Sequence, residues 1–245
     1  MTKIKFDKIV ESIKKCKYNV NINLLGGEPT LHPNLEYFIN ALHKLKNVHF
    51  IEIATNGYKD ISYLNNYNKL RIYLTYHQSY NYEYQFLENI KNLKNNINSV
   101  SLMKEKDFEC SSLFKKIKEI DKNIEVQINP VIINGKKYHY DLSQEEKILV
   151  KDKSESFVLN GKDIDVSDSY DFYGWKCEAS VFDISTNGDI EPACKLSKNH
   201  MFKNNIFNNP DFFITYKLNS KICLSNFCSS CGIKQIKYKD EDFNT

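Results

Sequence analysis

Leu24-Leu25-Gly26-Gly27-Glu28-Pro29-Thr30-Leu31-His32-Pro33 closes an apolar run with two glycines, an acid and a proline. The residues leading into it, Asn21-Ile22-Asn23-Leu24-Leu25, are apolar and β-compatible, so the stretch reads as a strand delivering a turn. A doubled glycine lets the backbone approach a ligand without Cβ obstruction. Glu28 then falls at the strand's carboxyl end, where open and barrel-like parallel α/β sheets bind their ligands. A carboxylate there suits a cationic or amino-bearing group. Taken by itself, the stretch reads equally well as a plain turn with an incidental acid.

Working outward, Phe6, Ile9, Val10 and Ile13 recur at helical spacing and predict an amphipathic helix over residues 6 to 16. Beyond the glycine turn, Pro33 suits the first turn of a second helix, with Leu35, Phe38, Ile39 and Leu42 as its buried stripe. Val48 to Ala54 reads as a strand ending in Thr55-Asn56-Gly57, where Asn-Gly is a turn signal. Leu70 to Tyr76 is the next strand, residues 83 to 95 a helix, and Ile97 to Met103 a strand. A helix carrying Cys110, Leu113, Phe114 and Ile117 follows, then a strand over Ile124 to Ile133. Five strands alternating with helices indicate an α/β fold with a parallel sheet. The helix over residues 6 to 16 has no strand before it.

From about residue 140 the pattern changes, which divides the chain into residues 1–140 and 141–245. Ser143 caps a short helix with Glu145 and Glu146 in its first turn. Residues 157–164 carry a hairpin signal around Asn160-Gly161, and Val181 to Ile184 followed by Thr186-Asn187-Gly188-Asp189 begins another. The 245 residues carry 34 basic and 31 acidic side chains, a balance that argues against a nucleic-acid partner. No run of 18 apolar residues occurs, and Met1-Thr2-Lys3-Ile4-Lys5 lacks a signal peptide's apolar core, so no membrane contact and a cytoplasmic location are expected.

Five of the seven cysteines, Cys177, Cys194, Cys223, Cys228 and Cys231, crowd the last third of the chain. In a reducing compartment such a cluster suggests metal before disulfides. Cys177 precedes and Cys194 follows one predicted hairpin, and Cys228-Ser229-Ser230-Cys231 is a C-x2-C pair. Four thiolates of this kind suit tetrahedral zinc or a [4Fe–4S] cluster, and spacing does not choose between them. Cys223 is a fifth candidate. Cys16 and Cys110 lie on apolar helical stripes and read as core.

Together these residues resemble the radical S-adenosylmethionine (radical SAM) superfamily, in particular members with a carboxyl-terminal SPASM or twitch domain. Gly26-Gly27-Glu28-Pro29 matches the family's GGEP motif, which holds the amino group of S-adenosylmethionine. Thr55-Asn56-Gly57 stands where members carry the same tripeptide, and Tyr73-Leu74-Thr75-Tyr76-His77 resembles the following strand. The hairpin from Cys177 to Cys194, with Asn204-Asn205-Ile206-Phe207 after it, looks like the half that binds an auxiliary cluster. The resemblance implies Gly26, Gly27, Glu28, Pro29, Thr55 and Asn56 as cofactor-binding residues. It implies Cys177, Cys194, Cys228 and Cys231, with Cys223 as alternative, as ligands of an auxiliary [4Fe–4S] cluster.

The family's C-x3-C-x2-C motif does not occur in the sequence, and the chain opens at the helix that would follow that loop. The expected architecture is therefore a partial (β/α)6 barrel missing its first strand, followed by a small hairpin-rich cysteine module. S-adenosylmethionine is expected as cofactor only where the amino-terminal cluster segment is supplied. The chain as given is expected not to generate a 5′-deoxyadenosyl radical, and its exposed sheet edge is expected to favour self-association. The complete enzyme would modify a peptide or small metabolite by radical chemistry, with an electron donor or a second chain completing the barrel as partners. The alternative is a non-catalytic binding or scaffold protein stabilised by zinc or an iron–sulfur centre.

Overall fold

The computed structural model describes residues 1–79, 82–105, 108–133, 136–138, 143–149, 156–159, 162–165, 176–177, 181–192, 204–215, 221–222 and 236–237. By its contacts the chain forms two compact units, residues 18–151 and residues 1–17 with 152–245.

In the first unit the apolar runs form strands β1 (Val20–Leu24), β2 (Val48–Thr55), β3 (Leu70–Tyr76), β4 (Ile97–Lys104) and β5 (Glu125–Ile133). They pair in parallel in sequential order, and β6 (Lys136–Tyr138) adds antiparallel to β5. Helices α2 (Leu35–His43), α3 (Glu83–Leu93) and α4 (Cys110–Ile120) form the crossovers, α1 (Lys3–Lys14) belonging to the other unit. A short α5 (Gln144–Leu149) follows β6. Right-handed crossovers between sequential neighbours put their helices on one face of the sheet, as in a barrel. The side chains alternate accordingly. Ile51, Ile53, Ile72, Leu74, Val100 and Leu102 are buried, as are Phe38, Ile39 and Leu42 of α2, Phe86, Ile90 and Leu93 of α3, and Leu113 and Ile117 of α4. Each such side chain contributes about 1.5–3 kcal/mol by leaving water. The opposite face carries Asn23, Glu52, Arg71, Tyr73, Ser99 and Ser101, which strand register places on one side. The fold is α/β with five parallel strands, as the sequence predicts.

Several boundaries differ from the sequence reading by one to three residues, and two of them have a local cause. The second helix begins at Leu35 after Asn34, because Pro29–Leu31 form a 3₁₀ turn and Pro33 lies in the connection. Helix α1 begins at Lys3, three residues before the first apolar position of its stripe, because the Thr2 hydroxyl accepts the Lys5 N–H at 3.4 Å.

In the second unit α1 buries Phe6, Ile9, Val10 and Ile13. The Ser12 hydroxyl donates to the Pro210 carbonyl at 2.6 Å, and Lys15 pairs with Asp211 at 2.6 Å, just before α6 (Phe212–Thr215). Strands β7 (Ser156–Leu159) and β8 (Lys162–Asp165) form the expected hairpin, whose Asn160-Gly161 turn lies outside the described residues. A second hairpin joins β10 (Phe182–Ile184) to β11 (Asp189–Pro192), with β12 (Asn204–Asn205) added to β11. Its turn needs glycine: Gly188 has φ +85°, and a Cβ there would lie 2.5 Å from the Phe207 ring. Strand β9 (Lys176–Cys177) lies between β13 (Lys221–Ile222) and β14 (Ile236–Lys237), both antiparallel to it.

Candidate functional site

Glu28 follows the carboxyl end of β1, where the backbone breaks into the Pro29–Leu31 turn. One carboxylate oxygen, Oε1, accepts the Thr30 N–H at 3.1 Å, the Thr30 hydroxyl at 2.6 Å and the Thr55 hydroxyl at 2.6 Å. The other, Oε2, accepts the Asn56 N–H at 2.8 Å. Burial pushes the Glu28 carboxyl up, but the Asn56 N–H, the two threonine hydroxyls and the Thr30 N–H outweigh it. The net shift is downward, and the group is held as a carboxylate. Thr55, the last residue of β2, is buried, so the loops after β1 and β2 are fastened to each other through Glu28.

Glu28, Thr55 and Asn56 are thus brought together by hydrogen bonds, and Oε2 keeps room for a further donor beyond the Asn56 N–H. Gly26 and Gly27 are exposed, neither has positive φ, and a Cβ on either would meet nothing within 4 Å. No packing or backbone demand within the described residues requires glycine at these two positions. Pro29 opens the 3₁₀ turn.

Gly57 is the reverse case, with φ +65° and an added Cβ 3.1 Å from the side chains of Leu74 and Phe86. The Asn-Gly signal thus marks a left-handed turn. The side chain of Asn56 accepts the Tyr58 N–H at 3.0 Å. Two residues were missed by sequence reasoning. Thr30 supplies two of Glu28's four hydrogen bonds. Asn89, fully buried on α3, donates to the carbonyls of Gly57 and Lys59 at 2.8 and 2.7 Å and accepts the Ile61 N–H at 3.2 Å. The signal for Asn89 was a polar side chain on the Phe86–Ile90–Leu93 apolar stripe.

His77, just past β3, is partly buried, and burial lowers its pKa against the opposing pull of Glu105. Tyr76 is core, packed on Phe86 and Phe108. Cys16 and Cys110 are buried in the core, as expected. Burial, with Glu146 beside it, pushes the Cys110 thiol up to about 12, which disfavours the thiolate and agrees with a core role. Of the predicted metal ligands, Cys177 is placed by its backbone in β9, while Cys194, Cys223, Cys228 and Cys231 lie outside the described residues. No helix among the described residues is long and apolar enough to cross a membrane.

Two solved structures of SuiB from Streptococcus suis are similar to this chain. The first has 16% identity and a TM-score of 0.35 over 87% of this chain and 60% of SuiB. The second, bound to S-adenosylmethionine, has 17% identity and a TM-score of 0.36 over 87% of this chain and 59% of SuiB. The chain thus spans about three fifths of the length of these structures. No curated protein matches it. The model of the Radical SAM superfamily matches residues 1–137, more than half of the sequence and the part that contains Glu28, Thr55 and Asn56. The chain belongs to the radical SAM superfamily.

Proposed function

We propose that the loops after β1 and β2 form the amino-group subsite for S-adenosylmethionine in a radical enzyme acting on a peptide or small metabolite. Gly26 and Gly27 give the ligand backbone access, Pro29 fixes the turn, and Thr55 and Asn56 hold Glu28 as an oriented carboxylate for the ammonium group. When bound, S-adenosylmethionine supplies hydrogen-atom abstraction chemistry. What the residues of this chain contribute is an anionic acceptor at a fixed position, with its charge maintained through neutral pH. The carrying observation is the contrast at the site: Glu28 is locked by four hydrogen bonds, beside two glycines that the described protein itself does not need.

An auxiliary [4Fe–4S] centre of SPASM or twitch type belongs to the same proposal, held by Cys177, Cys194, Cys228 and Cys231, with Cys223 as an alternative ligand. Strand pairing supports it in part. Cys177 stands in register with both Lys221 of β13 and Ile236 of β14, the two strands between which Cys223, Cys228 and Cys231 fall in the sequence.

The glycines supply the test. Since an added side chain meets nothing within 4 Å, Gly27→Val leaves the fold intact and intrudes only on a ligand. In protein labelled with 15N-glycine and supplied with an unlabelled amino-terminal cluster segment, millimolar S-adenosylmethionine is expected to shift the amides of Gly26, Gly27 and Gly57 selectively among the eight glycines of this chain. Gly27→Val is expected to weaken that response by about tenfold or more, the equivalent of one lost hydrogen bond to a charged group, with an unchanged unfolding midpoint. No selective shift in the parent protein, or an unaltered response in the variant, overturns the proposal.

A further inference from the structure

Of the 34 basic residues in the chain, a single one is arginine, Arg71. Every other cationic position uses lysine, so the planar guanidinium is confined to one place. That place is β3, on the polar face of the parallel sheet, in register with Glu52 of β2. Arg71 is partly buried, and its guanidinium carbon stands 3.1 Å over the centroid of the Phe50 ring. Stacking fixes the plane of the group and leaves its N–H edges free. Among the described residues those edges make no hydrogen bond and no ion pair. Glu52, the nearest acid in register, is instead engaged by Tyr73, whose hydroxyl donates to it at 3.0 Å.

A stacked, partly buried guanidinium with unspent donors is the arrangement that takes a planar anion in a fork, which lysine's point charge does not reproduce. The neighbouring Glu52 carboxylate selects within that class: its charge disfavours a dianion and tolerates a monoanion. We infer that Arg71 is a carboxylate-binding residue, and that the ligand received on the polar face of the sheet carries a carboxylate group. The inference uses neither Glu28 nor S-adenosylmethionine, so each can fail without the other.

The single arginine makes the experiment direct. Protein labelled with 15N-arginine has one side-chain Nε–H resonance. It is titrated at constant ionic strength, balanced with chloride, using acetate, N-acetylglycylglycine and inorganic phosphate in separate series. The expected result is a saturable shift with the two carboxylates. Tighter binding of the dipeptide assigns the carboxylate to a peptide terminus, and equal binding assigns it to a small organic acid. A shift that saturates only with phosphate, or that follows chloride without saturating, overturns the inference. As a second readout, p-hydroxyphenylglyoxal adds to arginine and yields at most one adduct by mass. Acetate is expected to slow that addition, and unchanged kinetics count against the assignment. Arg71→Lys is expected to keep the parent unfolding midpoint.

Discussion

Asn89 shows how a single side chain can set a site it does not touch. Its amide pairs with the carbonyls of Gly57 and Lys59 and with the Ile61 N–H, and those residues form the loop that begins at Thr55 and Asn56. Asn89→Leu keeps the volume and leaves two buried backbone groups, the Gly57 carbonyl and the Ile61 N–H, and the part-buried Lys59 carbonyl unpaired, at about 1–3 kcal/mol for each buried group before relaxation. We expect a loss of about 3 kcal/mol or more, read as a lower urea midpoint at unchanged slope. A variant as stable as the parent would show that water replaces the amide. The sequence makes half of this arrangement legible. Asn56-Gly57 announces a left-handed turn, and Glu28 announces an acceptor at a strand end. The partner that fastens the turn lies 32 residues away, and an asparagine on an apolar stripe does not say what it bonds.

At the level of elements, α5 is anchored by a buried ion pair. Glu146 is fully buried and Lys104, the last residue of β4, nearly so, and they meet at 2.9 Å. Glu146 also accepts the N–H of Cys110 at 2.7 Å, at the start of α4, and the N–H of Ser143 at 3.0 Å. The Ser143 hydroxyl accepts the Glu146 N–H at 3.1 Å, completing a reciprocal cap. The cap was legible as Ser-x-x-Glu. The ion pair was not, because periodicity carries no record of which carboxylate turns inward. Burial raises the Glu146 carboxyl, but Lys104 and the two N–H donors more than offset this, so its folded pKa is lowered. The sign follows: the stabilisation is complete above the unfolded carboxyl value of about 4.3 and is lost as pH falls through the lower folded value. Glu146→Gln is expected to cost about 3–5 kcal/mol at neutral pH, since it strands the Lys104 charge. Its stability should fall less steeply than the parent's as the buffer is taken from pH 6 towards 3. Lys104→Met with Glu146→Leu should recover much of that loss, because a packed apolar pair needs no desolvation of charge. A double variant no better than the single one would mean that the cap over Cys110 and Ser143, and not the ion pair, carries the energy.

At the scale of the whole molecule, strand order and helix placement were readable because a βα alternation with buried stripes permits few topologies. The packing of α1 beside Pro210 and Asp211 was not, since an amphipathic stripe states that a face is buried without naming its neighbour. The division into two compact units bears on the proposed metal centre. The unit of residues 18–151 holds a continuous apolar core from α2 to α4. The five late cysteines all belong to the other unit, where the described strands are two to four residues long. Short strands bury little apolar surface, so a bound metal would contribute a large share of that unit's folding free energy, as it does in small metal-dependent domains. Anaerobically purified protein is therefore expected to contain iron and acid-labile sulfide, with a broad visible absorption. Calorimetry should resolve two transitions, one of which falls on chelation and oxidation while the other holds its midpoint. Stoichiometric zinc in place of iron, with the same pair of transitions, would assign the site to a structural metal and remove the auxiliary cluster. Metal-free protein with both transitions unmoved by chelator would remove the centre altogether. The substitutions Cys228→Ser and Cys231→Ser should reproduce the chelated state in the first two cases and leave the thermogram unaltered in the third.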